Sequence, residues 1–203
     1  METENPKDPD WDRLFEIAAA QEGHFTTRQA VDAGYSPQLL AHHVRGRKLI
    51  RLRRGIYRLV HFPAGEQEEF VMVWLWSEQQ GVFSHQTALA LHDLSDVLPS
   101  HLHLTLPAAW RRRRLRTPPG VRLHYADIAA ADQRWFGVVP ITSPSRTLID
   151  CAAAHFSPEL LQQALDQALT RGIVSKVDVV EAQRSLDLFG EATPRDTPYI
   201  RHR

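Results

Sequence analysis

Five histidines, His85, His92, His101, His103 and His124, lie close together along the chain, and imidazole is a common ligand of transition metals. His101 and His103 would project from one face of a strand. No cysteine or nearby carboxylate other than Asp93 and Asp96 completes a ligand set, so hydrogen bonding is the expected role of these rings, and no metal or cofactor is expected. Ser84, His85 and Asp93 supply the residue types of a hydrolytic triad. The glycine-flanked turn that exposes a nucleophilic serine is missing, and Ser84 reads instead as a helix cap. A Mg²⁺-dependent nuclease needs clustered carboxylates with a lysine, whereas Glu159, Asp166, Asp178 and Glu181 fall on helical segments without an acid-x-Lys strand. The single cysteine, Cys151, sits in the apolar helical pattern Leu148-Ile-Asp-Cys-Ala152 and reads as a buried structural thiol. Catalysis is not expected.

The remaining chemistry is charge. The chain holds 24 Lys and Arg against 24 Asp and Glu, yet between His24 and Val60 the basic residues are Arg28, Arg45, Arg47, Lys48, Arg51, Arg53, Arg54 and Arg58, and the only acid is Asp32. Acids gather at the amino terminus, in Glu66 to Glu69 and across the last third. A basic block set apart in this way calls for a polyanionic partner.

The elements that carry this block can be placed from local signals. Asp10 caps a first helix with Trp11, Leu14, Phe15, Ala18 and Ile17 facing inward, and Gly23 stops it. Thr26 with Gln29 makes a capping box for a second helix that ends at Gly34. Ser36-Pro37 opens a third through Arg45, with Leu39, Leu40 and Val44 toward the core and Gln38, His42, His43 and Arg45 on or near the open face. Leu49 to Leu59 then alternates apolar and basic residues about a turn at Arg53-Arg54-Gly55, as a two-stranded wing does. Leu49 or Ile50, Leu52, Ile56 and Leu59 would pack inward, and Arg51, Arg53, Arg54 and Arg58 would point out. This order describes a winged helix-turn-helix that binds double-stranded DNA. The contact residues expected from it are Thr27, Arg28, Gln38, His42, His43, Arg45, Arg47, Lys48, Arg51, Arg53, Arg54 and Arg58, with Gln38, His42, His43 and Arg45 nearest to base edges.

At 203 residues the chain has room for a second domain. Helical periodicity over 66–79 begins it, and Ser84 to Leu94 forms a short helix burying Ala88, Leu89 and Leu91. His101 to Leu106 and Val121 to Tyr125 alternate as strands, with Arg111, Arg112, Arg113, Arg114 and Arg116 between them on a basic loop or hairpin end. Val138 to Ile141 is a further short strand, and helices run from Ser143 to Ala154, Pro158 to Arg171 and Lys176 to Leu186, the last capped by Ser175. The fold expected is α+β: a flexible start over 1–10, the winged helix over 11–62, a mixed α/β domain over 63–188 and a poorly ordered tail over 189–203. The Arg111 to Arg116 run and Arg146 form a second candidate surface for nucleic acid or a partner, although an ion pair between Arg146 and Asp150 is the simpler account of that arginine.

Several separated segments together resemble the AbiEi-type antitoxins. They are Gly23-His-Phe-Thr-Thr-Arg-Gln-Ala30 with Gly34, Leu52-Arg-Arg-Gly-Ile-Tyr57, Ser84-His85-Gln86-Thr87-Ala88 with Leu91-His92, and Thr142-Ser-Pro-Ser-Arg-Thr-Leu-Ile-Asp150. The resemblance implies a winged helix that represses its own operon and a second domain that counteracts a nucleotidyltransferase toxin, in a type IV toxin-antitoxin pair, without a tight complex between the two. A stand-alone repressor has the same plan, and a Ser-His-x-Thr-Ala segment also precedes nuclease domains. A cytoplasmic monomer or weak dimer is expected. No apolar run approaches the ~20 residues of a membrane span, and the acidic opening Met1-Glu-Thr-Glu-Asn-Pro lacks the pattern of a secretory signal.

Overall fold

The computed structural model describes residues 8–63 and 65–192. The chain divides into two compact units, one running to Gly81 and taking in Trp135–Val139, the other formed by Val82–Arg134 and the chain from Pro140 onward. The fold is α+β, with one sheet of three strands and one of five. Among the described residues no helix is long and apolar enough to cross a membrane.

The first unit opens with α1 (Trp11–Ala19), β1 (His24–Thr26), α2 (Thr27–Asp32) and α3 (Pro37–Arg45), followed by the wing strands β2 (Leu49–Arg53) and β3 (Ile56–Leu59). The caps form where the residue types call for them. Asp10 Oδ1 accepts from the Arg13 N–H at 2.9 Å. The Gln29 N–H donates to Thr26 Oγ1 at 3.2 Å while Gln29 Oε1 takes the Thr26 N–H at 2.8 Å, so two orphan donors are satisfied reciprocally. Ser36 Oγ accepts from the Leu39 N–H, and Pro37 holds the first helical position. Gly23 turns the chain at φ +82°, and a Cβ there would sit 2.5 Å from the Phe62 ring. Leu14, Ala18, Phe25, Ala30, Leu40, Leu49, Tyr57 and Leu59 make the core, with the Phe25 and Tyr57 rings stacked at 5.7 Å.

Three details depart from the sequence reading. Trp11 and Phe15 stay 41% and 47% exposed, because Leu14 and Ala18, one turn apart, fill the width of α1 that the core covers. The strand β1, too short to show alternation, pairs antiparallel with β3, so the wing belongs to a sheet ordered β1-β3-β2. The register slips between Arg51 and Arg53, and Leu52 is only half-buried, while of the alternatives Leu49 and Ile50 it is Leu49 that packs inward.

Helix α4 (Glu68–Trp76) belongs with this unit rather than opening the next. Glu68 reaches His24 and Arg58, Trp74 meets Trp135 edge-on at 6.2 Å, and Gln79 Nε2 donates to Gln21 Oε1 at 2.7 Å. Val71, Val73, Trp74 and Leu75 are the residues α4 buries.

The second sheet has the order β6-β5-β4-β8-β7, built from β4 (Val82–Phe83), β5 (Leu102–Leu106), β6 (Val121–Tyr125), β7 (Gln133–Phe136) and β8 (Val139–Thr142). The short strands β4 and β7 carry no period that sequence alone would register. β5 runs antiparallel to β4 and parallel to β6, so the basic stretch between β5 and β6 is a crossover and not a hairpin end. Helices α5 (His85–Leu91), α6 (Pro144–Ala153), α7 (Pro158–Thr170) and α8 (Val180–Ala192) share a core of Leu89, Leu148, Cys151, Leu161, Leu165 and Leu186. Burial pushes the Cys151 thiol up to about 12, which makes it inert as a nucleophile at neutral pH. The Ser175 hydroxyl accepts the Asp178 N–H at 3.4 Å, but Lys176 holds the cap position of a 3₁₀ turn over Val177–Val179, and α8 begins after that turn and continues past Leu188 to Ala192. Residues 1–7 of the start and 193–203 of the tail, both expected to lack order, lie outside the described residues.

Candidate nucleic-acid interface

Helix α3 presents Gln38, His42 and Arg45 to solvent. His43 is drawn in instead, with its ring 6.3 Å from Trp11 and 5.8 Å from Tyr35; burial, then Lys48 and His42, lower its pKa, so it packs as a neutral ring. The helix ends in a two-bond cap: the Lys48 N–H returns to the His43 carbonyl at 3.0 Å and the Arg47 N–H to that of Val44 at 3.1 Å. That cap puts Arg47 at φ +54°, a conformation costing a residue with a Cβ roughly 1 kcal/mol, and leaves its side chain exposed. The Thr27 N–H donates to the Gly55 carbonyl at 2.8 Å, which fixes the start of α2 against the tip of the wing, where Gly55 turns at φ +80°. Thr27 itself is half-buried, and Arg28 beside it is exposed.

Arg28, Arg45, Arg47, Lys48, Arg51, Arg53 and Arg54 are therefore all exposed, and among the described residues none of them forms an ion pair. With no carboxylate to answer them, their fields add and favour a polyanion over isolated anions. Arg58 departs from its expected outward position. On β3 it turns toward α4, with Nη1 3.5 Å from Glu68 Oε2 and only 15% of the side chain exposed, while the fully buried His24 places Nε2 3.5 Å from Glu68 Oε1.

In the second unit Arg111 to Arg114 and Arg116 are exposed, with Arg113 lying 3.8 Å over the Trp110 ring and Arg111 reaching the Tyr125 carbonyl at 3.5 Å. Arg146 is held by Asp150, Nε to Oδ1 at 2.8 Å, and approaches Asp132 at 3.7 Å. Burial raises the Asp150 pKa while the Arg146 hydrogen bond opposes that rise.

The residues singled out by resemblance in this unit stitch α5 to the sheet. Ser84 precedes α5, but its hydroxyl makes no cap bond; it meets Thr105 Oγ1 at 2.7 Å and His85 Nδ1 at 2.9 Å. Thr87 Oγ1 accepts the His103 N–H at 2.7 Å, and His92 Nε2 donates to the Thr142 carbonyl at 2.7 Å. Asp93 points to Arg171, so the residue types of a triad do not assemble. Sequence reasoning missed a meeting of His85, His103 and His124. His85 stacks on His124 with centroids 3.6 Å apart, and His103 Nδ1 lies 3.0 Å from His124 Nε2. Burial, reinforced by the neighbouring imidazoles and arginines, drives His85 down to about 3 and His103 to about 4, so both are neutral at pH 7. His101, expected beside His103, lies outside β5 and bonds Ser100.

Residues 12–60 match the family described as transcriptional regulator, AbiEi antitoxin. The resemblance is thus shown over the winged helix. No curated protein matches the chain. Among solved structures, the crystal structure of the RV2827C protein from Mycobacterium tuberculosis is similar over 90% of this chain and 78% of that one, at 17% identity and a TM-score of 0.53, a likeness of fold.

Proposed function

We propose that the first unit binds double-stranded DNA and represses transcription of its own operon, and that the second unit counteracts a nucleotidyltransferase toxin without forming a tight complex with it. The observation that carries the DNA-binding part is the set of seven exposed cations on the helix-turn-helix and wing, Arg28, Arg45, Arg47, Lys48, Arg51, Arg53 and Arg54, which have no carboxylate partner among the described residues. The family match over residues 12–60 supports the regulatory role. The arginines and Lys48 neutralise phosphates and set the register on the duplex, and Gln38 and His42, with Arg45, reach base edges in the major groove. Arg53 and Arg54 at the wing tip follow the backbone into the neighbouring groove. The protein acts in the cytoplasm as a monomer or weak dimer. The toxin-directed part rests on the likeness of residues 84–92 and 142–150 to AbiEi-type antitoxins.

Fluorescence anisotropy with a duplex from upstream of the protein's own reading frame, against a scrambled duplex, tests the first part. Preference for the upstream sequence, altered in Gln38→Ala, is expected; equal binding of both duplexes by the wild type contradicts a repressor. Co-expression with the neighbouring reading frame tests the second. Relief of growth arrest by the full chain is expected, and growth arrest unchanged by it contradicts the antitoxin role, leaving a repressor alone.

A further inference from the structure

Three imidazoles from three elements of the second unit converge: His85 from the first turn of α5, His103 from β5 and His124 from β6. In the parallel β5–β6 pair His103 stands opposite Arg122 and Thr105 opposite His124, so His103 and His124 are diagonal neighbours on one sheet face. Each of the three rings offers a nitrogen within 4.8 Å of those of the other two. We propose that His85, His103 and His124 bind one divalent first-row transition ion, with zinc as its natural occupant and the fourth coordination position open to the adjoining cavity.

The spacing fits. Two nitrogens bound tetrahedrally to zinc at about 2.0–2.1 Å stand about 3.3 Å apart, and His103 Nδ1 and His124 Nε2 are already 3.0 Å apart. Without an ion one ring donates its N–H to the other; on binding, the donor ring changes tautomer, its proton passing through solvent to the other ring nitrogen, so that each neutral ring offers one lone pair to the ion. His85 is oriented for the same task. Its Nδ1 is engaged by Ser84 Oγ, itself tied to Thr105 Oγ1, which leaves Nε2 as the ligand and supplies the outer hydrogen bond that fixes the tautomer of a metal-bound imidazole. The stacked rings of His85 and His124, inclined by 17°, must fan apart for their lone pairs to meet on one ion.

The cavity beside the rings, about 360 Å³, provides space for that rotation. Its lining also suits a fourth ligand. Arg111 and Arg146 favour an anion, and Asp150, whose Oδ2 is buried without a hydrogen-bond partner, can accept a hydrogen bond from a metal-bound water. Three histidines with an open fourth position are the arrangement of a zinc site that keeps a place for water or another small ligand rather than of a closed structural one. None of this depends on the DNA-binding reading, since all the residues belong to the second unit.

The full chain, freed of metal with a chelator, is titrated with Co²⁺ and, in competition with a chromogenic chelator, with Zn²⁺. One ion per chain and the intense visible absorption of four-coordinate cobalt are expected. His124→Gln and His85→Gln, each checked for wild-type circular dichroism, should weaken binding by about 100-fold or more, and Ser84→Ala by about 10- to 100-fold. His101→Ala should change nothing. A wild-type chain without the four-coordinate cobalt spectrum overturns the proposal, as does zinc binding that survives both glutamine variants. If either variant fails to fold, the wild-type spectrum and stoichiometry still decide.

Discussion

Arg58 and Glu68 face each other across β3 and α4 with Nη1 and Oε2 3.5 Å apart, and the same carboxylate lies 3.5 Å from the buried ring of His24. One basic residue of the wing therefore holds the first unit together while its neighbours stay free. Arg58→Ala should lower stability by about 1 kcal/mol, through the lost pair and the lost packing of its stem. The salt dependence of duplex binding should not change. Thermal unfolding and anisotropy read the two effects separately; an unchanged Tm with a flatter salt slope would return Arg58 to the interface.

Arg47 couples stability and binding in opposite directions. Its φ of +54° at the end of α3 suits glycine, while its side chain belongs to the free cationic set. Arg47→Gly should stabilise the fold by roughly 1 kcal/mol and weaken duplex binding at low salt. Chemical denaturation and anisotropy check the pair of outcomes. A variant less stable than the wild type would contradict the reading of that cap.

His92 gives the second unit an acid sensitivity. Burial is the main reason its pKa is lowered, with Arg134 and Arg171 adding to the effect, and its neutral ring donates to the Thr142 carbonyl. Below its ordinary value of 6.5 the unfolded chain takes up a proton that the folded chain resists, so the stability due to this residue is present above that pH and is lost as pH falls below it. His92→Gln, which cannot take up that proton, should be less stable than wild type at pH 7, with the gap narrowing toward pH 5. Tm values measured in chelator across that range test this; a gap that stays constant would mean that His92 titrates alike in both states.

The readable parts of the fold were those whose cause is local. Thr26 with Gln29, Ser36 with Pro37 and Asp10 signal helix starts within three residues of themselves, and each forms the bond its type calls for. The wing was legible because Gly55 and the alternation of Leu49 to Leu59 lie in one short stretch. What sequence hid depends on partners far along the chain. Arg58 turns inward because Glu68 waits on another element, and Trp74 draws α4 into the first unit by meeting Trp135. His103 and His124 meet only because β5 and β6 pair in parallel, whereas the alternation of two separate strands is silent about their direction and register. The same limit applied to Ser84, read as a cap from its position before α5, whose hydroxyl is drawn off by Thr105 on β5.

On the proposed function, the cations of helix and wing that have no ion-pair partner among the described residues bind a duplex by displacing its counterions. The most direct test is the slope of log K against log salt concentration for the wild type and for Arg53→Ala with Arg54→Ala, measured on one duplex. Each phosphate neutralised contributes about −0.9 to that slope, so removing two wing arginines should make it shallower by nearly two units and weaken binding to specific and random duplexes alike. An identical slope for the two proteins, or no duplex retained by the wild type at low ionic strength, would contradict the account.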